Sequence, residues 1–207
     1  MNTVLKSGLK LTLHAADDPQ RSEVESFIAR IYRAYFAADL RHFAPVLAAL
    51  SDQDGQLLAA AGYRNAADGQ LFLESYLSQP VEALLGERLG VPVARQGLVE
   101  VGHLAAAQPG AGRLLAIALT HHLSNQAYGW VISTLTRELR SLFERMGVRT
   151  LLLSPARAAV LGEAAGSWGS YYEHAPAVLA SSLKQTAHVF EQRLTRHSEP
   201  RTTCCAH

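Results

Sequence analysis

The feature of this sequence that most constrains its fold is a regular alternation of strand-like and helix-like segments, which begins at residue 97. Residues 97–104 (Gly-Leu-Val-Glu-Val-Gly-His-Leu) form a short apolar run typical of a buried strand. A glycine-rich loop, a helix, a strand, a helix and a strand follow, over residues 105–112, 113–126, 128–134, 136–147 and 148–153. Such alternation predicts a sheet with helices on its faces.

The N-terminal part adds antiparallel strands to this sheet. Residues 9–13 alternate apolar and polar side chains, as a half-buried strand does, and residues 22–35 have one apolar helical face. Residues 46–64 predict a β-hairpin with Asp54-Gly55 at its turn. A hairpin makes the predicted sheet mixed rather than purely parallel. The segment 71–77 is compatible with either a helix or a strand.

Size and composition predict one domain over residues 1–190 and a polar, disordered tail over residues 191–207. The chain has 207 residues, an apolar content of 48% and a net charge of +1, which together favour a sizeable core and argue against bulk nucleic-acid binding. The only cysteines, Cys204 and Cys205, are adjacent, so we expect no disulfide framework and a cytoplasmic location. We also expect no signal peptide, no transmembrane segment and no metal site, since the adjacent His121 and His122 diverge on a helix.

Seven short blocks carry a family resemblance: residues 31–35, 38–40, 62–64, 71–77, 80–82, 99–104 and 168–172. Together they resemble the thermostable hemolysin family over roughly residues 9–182. More distantly, the chain is similar to the acyl-homoserine-lactone synthases and the GNAT acyltransferase superfamily. The resemblance implies an α/β, GNAT-like three-layer fold, in which a central mixed, splayed β-sheet is flanked by helices.

The same resemblance implies an enzyme, an N-acyltransferase that moves an acyl group to a small, amino-acid-like amine. The donor would be a cosubstrate rather than a permanent cofactor, either acyl-CoA or a phosphopantetheinyl acyl-carrier protein. Strand residues Leu98, Val99 and Val101 would then hold the pantetheine arm. A homodimer is compatible with the sequence.

Glu100 and His103 are the candidate catalytic residues. Glu100 points opposite to its apolar neighbours on a strand, and in a cleft its desolvated carboxylate could take a proton from an amine. His103 lies near the end of that strand and could share the role of base or orient substrate. The structural alternatives are a carboxylate paired with Arg64 or Arg95 and a half-buried histidine without a catalytic role.

The loop after this strand is a candidate phosphate site, because free N–H groups at a helix N-terminus attract anions. Gly110, Ala111, Gly112 and Arg113 would form it, and an ordinary strand-to-helix loop is the alternative.

Candidate substrate-binding residues come from the N-terminal half and from a late aromatic block. The resemblance implies that Arg30, Arg33, Arg64 and Glu74 bind the acceptor, although a solvated helix face would also explain Arg30 and Arg33. Trp168, Tyr171 and Tyr172 are candidates for an acyl tunnel or, alternatively, for plain core.

Two other classes of function remain open. Phe143 occupies a position where many GNAT members have tyrosine, which fits a non-catalytic protein that binds an acyl thioester. The family name suggests a membrane-active hemolysin, although the sequence has no long apolar segment and no strongly basic amphipathic helix.

Overall fold

The computed structural model describes residues 3–4 and 8–198. Within these residues, eight strands form one sheet: β1 Thr3–Val4, β2 Lys10–His14, β3 Val46–Ser51, β4 Leu57–Asn65, β5 Leu98–Ala106, β6 Trp130–Leu135, β7 Leu151–Pro155 and β8 Ala177–Ser182. The same part of the chain contains five α-helices: α1 Arg21–Phe36, α2 Val81–Leu89, α3 Ala111–Ser124, α4 Arg137–Arg145 and α5 Leu183–Ser198. Short 3₁₀ helices occupy Ala66–Asp68, Phe72–Tyr76 and Arg95–Gly97, and irregular 3₁₀ turns fill Ala158–His174.

The sheet is mixed, as predicted. Its strand order is β1-β2-β3-β4-β5-β6-β8-β7, and neighbours are antiparallel except for the parallel pair β5–β6. Strand β8 enters between β6 and β7 because the chain returns to the sheet after the 158–174 segment.

Helices cover both faces, which confirms the three-layer α/β fold. Side chains alternate across a strand, so Leu47 and Ala49 of β3 pack against α1, whereas Ala48 and Leu50 pack against α3. Helix α2 lies on the same side as α1, and α5 lies beside α3. No helix within the described residues is long and apolar enough to cross a membrane.

The sheet opens between β5 and β6. These strands pair at Leu98↔Trp130, Val99↔Val131 and Glu100↔Ile132, and no further pair joins them in the described chain, although both continue beyond that point. A bulge distorts β5 just there: Ala60 of β4 pairs with Ala105, but Gly62 pairs with Gly102, so β5 has one extra residue. His103 occupies this bulge with a φ of 54°. The splayed sheet that we predicted is therefore present.

The C-terminal boundary differs from the prediction. Helix α5 continues to Ser198, so residues 191–198, which were assigned to a disordered tail, are helical. Apolar residues recur at helical spacing in this segment, at Leu183, Ala187, Phe190 and Leu194, which is typical of an amphipathic helix. Cys204 and Cys205 lie outside the described residues.

Gly169 allows the backbone of the 158–174 segment to lie close against the end of α1. Its φ is 52°, and a Cβ atom built there would overlap the Phe36 carbonyl oxygen and the Ala37 carbonyl group. We therefore expect Gly169→Ala to lower the free energy of unfolding by about 3 kcal/mol. Urea denaturation monitored by tryptophan fluorescence would measure the change. Gly162→Ala has a similar φ of 56° but open space around its Cβ, so it is the matched control and should cost less.

Candidate active site

A cavity of about 850 Å³ connects the two faces of the sheet through the opening between β5 and β6. Its walls include residues 101–104 of β5 and residues 131 and 133–135 of β6. Side chains from α1 line it on one side and side chains from α3 and α5 on the other. The two ends of the cavity differ in chemistry, and we call them the aromatic chamber and the aliphatic chamber.

The aromatic chamber is the end on the α1 side of the sheet. Its rings are those of Tyr32, Phe43, Phe72, Tyr76, Trp168 and Tyr171. Several of these rings are in contact, and the centroids of Phe72 and Trp168 are 5.5 Å apart. The charged residues Asp39, Arg41, Arg64, Glu100 and Glu163 also line this end. This chamber is suited to a small molecule with both a charge and an apolar part.

The aliphatic chamber is the end on the α3 side. Its walls are Leu115, Leu119 and Leu123 of α3, Val131, Ser133 and Leu135 of β6, Leu139 and Phe143 of α4, and Val148, Thr150, Leu179, Ser181, Leu183 and Thr186. Among these wall residues none is charged, so the chamber is suited to an uncharged apolar group.

Glu100 lies at the last paired position of β5, where the opening begins. Its two carboxylate oxygens accept hydrogen bonds from the backbone N–H groups of Phe72 (3.1 Å) and Leu73 (3.0 Å). Burial raises the pKa of this carboxyl group, and the two amide bonds partly oppose the rise. Neither Arg64 nor Arg95 forms an ion pair with it in the described structure. Glu100 is therefore an oriented, desolvated carboxylate that faces the cavity.

His103 faces the same cavity from the bulge in β5. Its half-buried ring lies between Phe43 and Tyr32, with centroid separations of 5.6 and 6.4 Å. Burial lowers the pKa of His103 to about 4, so the imidazole is neutral at physiological pH. A backbone hydrogen bond with His42 opposes that shift, and the buried Nδ1 has no hydrogen-bond partner among the described residues. Because Nδ1 is unpartnered, we assign the bond to Nε2–H, which leaves an accepting lone pair on Nδ1.

Of the arginines predicted to bind the acyl-acceptor amine, one lies in the cavity wall and two lie outside it. Arg64 lines the aromatic chamber, and its Nη1 donates to the Gln70 carbonyl oxygen at 3.0 Å. Arg30 is exposed above the Phe27 ring, and Arg33 is exposed and paired with Asp39 at 3.3 Å. Neither Arg30 nor Arg33 is part of the cavity wall as described. The structure therefore favours the solvated helix face for these two arginines.

Glu74 also lies outside the cavity wall and has a structural environment. Its oxygens accept hydrogen bonds from the backbone N–H groups of Leu71 and Val81 and from the Arg95 guanidinium, at 2.7 to 3.0 Å. Arg95 also pairs with Glu82 at 2.6 Å. The Arg95 bond is the main cause that lowers the pKa of Glu74 to about 2. Glu74 thus positions the 3₁₀ helix whose amides hold Glu100, and it has no free oxygen for a substrate.

This environment predicts an acid-dependent stability. A lowered carboxyl pKa stabilises the fold above the unfolded value of 4.5, and the contribution is lost as the pH falls towards 2. We expect Glu74→Gln to cost about 3 kcal/mol at neutral pH, because Arg95 loses a buried partner. Denaturation at several pH values would show the cost shrinking below pH 4.5. A cost that is independent of pH would contradict this assignment.

The predicted pantetheine and phosphate residues are divided between core and surface. Leu98 and Val99 are fully buried, whereas Val101 lines the opening. Gly110 precedes α3 with a φ of 87°, Ala111 and Gly112 are buried, and Arg113 is exposed. These four residues form the N-terminus of α3 and are not in the described cavity wall.

The aromatic block lies partly in the cavity. Trp168 and Tyr171 line the aromatic chamber, and the Tyr171 hydroxyl donates to the Thr134 carbonyl oxygen at 3.2 Å. Tyr172 lies behind them, where its hydroxyl bonds to that of Tyr76. An acyl tunnel and plain core were both open for these rings, and the structure places Trp168 and Tyr171 in the wall of the aromatic chamber, at the opposite end from the aliphatic walls.

Two parts of the cavity wall have no functional signal in the sequence. Residues 39–44 form a connection without regular structure, yet all of them line the aromatic chamber, and the Asp39 N–H donates to the Ser167 carbonyl oxygen at 2.7 Å. Tyr32 belongs to the apolar face of α1 and is buried there, yet it also borders the cavity. No local signal distinguishes a core aromatic from one beside a cavity.

Several solved structures with this fold are acyl-homoserine-lactone synthases or N-acyl amino acid synthases, and their sequence identity to this chain is low. The acyl-homoserine-lactone synthase LasI superposes with a TM-score of 0.59 at 14% identity, covering 86% of this chain and 91% of that one. FeeM, an N-acyl amino acid synthase from uncultured soil microbes, has a TM-score of 0.56 at 14% identity, with coverages of 88% and 95%. The CoA-dependent acyl-homoserine lactone synthase BjaI has a TM-score of 0.58 at 13% identity, with coverages of 91% and 90%. At this identity the likeness concerns the fold.

Sequence comparison identifies a family directly. A comparison with curated proteins gave no match. The family model described as thermostable hemolysin matches residues 14–187, which is most of the chain. The chain therefore belongs to the thermostable hemolysin family.

Proposed function

We propose that this protein is an acyltransferase that moves an acyl group from a thioester to a small, amino-acid-like amine. The observation that carries the proposal is the position of Glu100 and His103, which flank the opening between β5 and β6 and face a cavity with two chemically distinct ends. A thioester at the opening would have its acyl chain in the aliphatic chamber and the amine in the aromatic chamber.

The residues at the opening supply the groups that such a reaction needs. The amine nitrogen attacks the thioester carbonyl carbon, a C–N bond forms, and the C–S bond breaks. Glu100 takes the proton that the nitrogen loses. Burial raises the pKa of Glu100 towards neutral pH, which makes its carboxylate a better base. The sulfur leaves as a thiolate and then takes up a proton. His103 accepts a hydrogen bond from the amine at Nδ1 and orients its lone pair.

The unpaired part of β5 supplies a further element of the mechanism. Residues beyond Glu100 have no ladder partner on the β6 side within the described chain, so their backbone groups on that side face the opening. N–H groups of this kind would hold the pantetheine arm, with Val101 in contact, and stabilise the oxyanion that develops on the carbonyl oxygen.

The comparisons support acyl transfer as the class of reaction, and two kinds of acyl donor are compatible with them. LasI is an acyl-homoserine-lactone synthase, FeeM is an N-acyl amino acid synthase, and BjaI is CoA-dependent and was solved with SAM and isopentyl-CoA. We propose acyl-CoA or a phosphopantetheinyl acyl-carrier protein as the donor. Gly110 and the first residues of α3, Ala111 to Arg113, would contact the donor's phosphate outside the cavity.

Mass spectrometry of reaction products tests the proposal. The purified protein would be incubated with acyl-CoA or acyl-carrier protein and a panel of amino acids and related amines, and N-acyl products would be identified by mass. Small molecules from cells overexpressing the protein would extend the panel of acceptors, with cells expressing Glu100→Gln as the matched control. Tight thioester binding without product from any amine would instead indicate a non-catalytic binding protein.

One observation favours that second candidate. Phe143 lines the aliphatic chamber at the position where many GNAT members have tyrosine, so this side chain supplies no hydroxyl to protonate the leaving thiolate. Vesicle leakage by the pure protein without a cosubstrate would instead support membrane activity.

A further inference from the structure

Helix α4 has an apolar face with little protein packed against it. Leu142 and Phe143 follow Leu139 by three and four residues, so the three side chains share one side of the helix. Amphipathic helices normally bury such a face in the core. Here no residue of α4 is buried, even though every one of its residues is described, and its apolar side chains are half-buried.

Most of this apolar face points into the cavity. Leu139 and Phe143 line the aliphatic chamber, where they pack against Leu135 and Leu179 at its edge. Leu142 instead packs towards the cluster of Met146, Val148 and Phe190. Two of the three apolar side chains of α4 thus border empty space, and the hydrophobic effect favours an apolar occupant there.

The aliphatic chamber is continuous with the opening between β5 and β6. The last strand pair is Glu100↔Ile132, and the cavity follows β6 from there to Leu135. Three residues of a strand span roughly 10 Å. An extended hydrocarbon, with C–C bonds of about 1.5 Å, needs on the order of eight methylenes to cover that distance.

We infer that the acyl group carried by this protein is an uncharged hydrocarbon chain of about ten carbons or more, and that the apolar face of α4 completes its binding site. The inference rests on the proposed function and adds the class of acyl group. Charged walls are absent from the described part of this chamber, so a chain that ends in a carboxylate is disfavoured. The Thr186 hydroxyl in the wall is satisfied by the Ser182 carbonyl oxygen at 2.8 Å.

Binding of non-transferable probes tests the inference. S-alkyl pantetheine thioethers with chains of about four to about fourteen carbons would be titrated into the purified full-length protein by calorimetry. Each buried methylene should tighten binding by up to about fourfold until the chamber is full. We expect the affinity to rise up to a chain of about ten carbons or more.

Three variants test where the acyl chain binds. Leu139→Ala should weaken the binding of long probes by about tenfold and leave short probes unaffected, whereas Leu142→Ala, on the same helix but outside the chamber wall, should not change the dependence on length. Ser181→Leu fills the chamber and should remove the gain for the longest probes. Thermal unfolding of each variant would show that it is folded.

The outcomes separate this inference from the proposed function. An affinity that is independent of chain length, or a Ser181→Leu variant with the dependence of the wild-type protein, would overturn the inference. Length-dependent binding together with no acylation of any amine would overturn the proposed reaction and leave the chain site standing. Turnover limited to short or charged acyl groups would overturn the inference alone.

Discussion

Glu100→Gln is expected to lower kcat about 100-fold or more while the protein remains folded. Glutamine has the shape of glutamate but cannot take a proton from the amine. The amide oxygen of glutamine can still accept a hydrogen bond from the N–H of Phe72 or Leu73. The amide NH₂ faces the other backbone N–H and cannot bond to it, so a modest loss of stability is also expected.

The pH profile distinguishes a base from a structural carboxylate. A base must be ionised, so wild-type activity should fall with decreasing pH through the pKa of Glu100, which burial raises above its usual range. In Glu100→Gln this acidic limb should disappear, and the residual activity should fall at the lower pH where His103 is protonated, near pH 4. Unchanged kcat in a folded variant would remove Glu100 from the role of base.

His103→Ala is expected to reduce kcat/KM about 100-fold. The substitution removes the unpartnered Nδ1 that we assign to the amine, together with the ring that fills the space between Phe43 and Tyr32. The expected loss concerns kcat more than KM, because orientation of the lone pair matters most in the transition state. His121→Ala, on the exposed face of α3, is the matched control and should leave kcat/KM unchanged.

Stability measurements give a second readout for His103. Its pKa is lowered from 6.5 to about 4 by burial, so the folded protein resists a proton that the unfolded chain accepts. The neutral ring is therefore tolerated above pH 6.5, and folding becomes less favourable as the pH falls towards 4. His103→Ala should show a shallower loss of stability over that range. An equal slope in both proteins, with full activity in the variant, would contradict a buried functional histidine.

Much of the fold could be predicted because the segments from residue 97 onwards follow local rules. Thr136 caps α4 as its position predicts, with its hydroxyl accepting from the Leu139 N–H, and Gly147 follows with a φ of 82°. The predicted hairpin matches β3 and β4 within one or two residues. The parallel β5–β6 pair also follows from the strand–helix–strand order.

The placement of β8 could not be predicted in the same way. The chain from 158 to 174 contains non-helical residues at Gly162 and Gly169 and has no clear period, so the return of the chain between β6 and β7 has no local signature. It depends on long-range pairing, such as Ile132↔Ala180 and Leu152↔Leu179.

The candidate site was only partly predictable for a similar reason. Alternation along β5 identified Glu100 as different from its apolar neighbours, and its position at the opening agrees with that prediction. The sequence did not indicate that the amides of Phe72 and Leu73 bind this carboxylate, nor that Glu74 lies with Arg95 behind them. Both arrangements join residues more than twenty positions apart, which spacing rules do not connect.

The three-residue contact between β5 and β6 divides the sheet into two plates joined along a short hinge. One plate holds β1 to β5, and the other holds β6, β8 and β7. Amide protons beside this hinge should exchange with deuterated solvent faster than those inside either plate. A molecule bound across both plates would hold them together, so its binding should slow exchange in β6 and in the neighbouring strand β8.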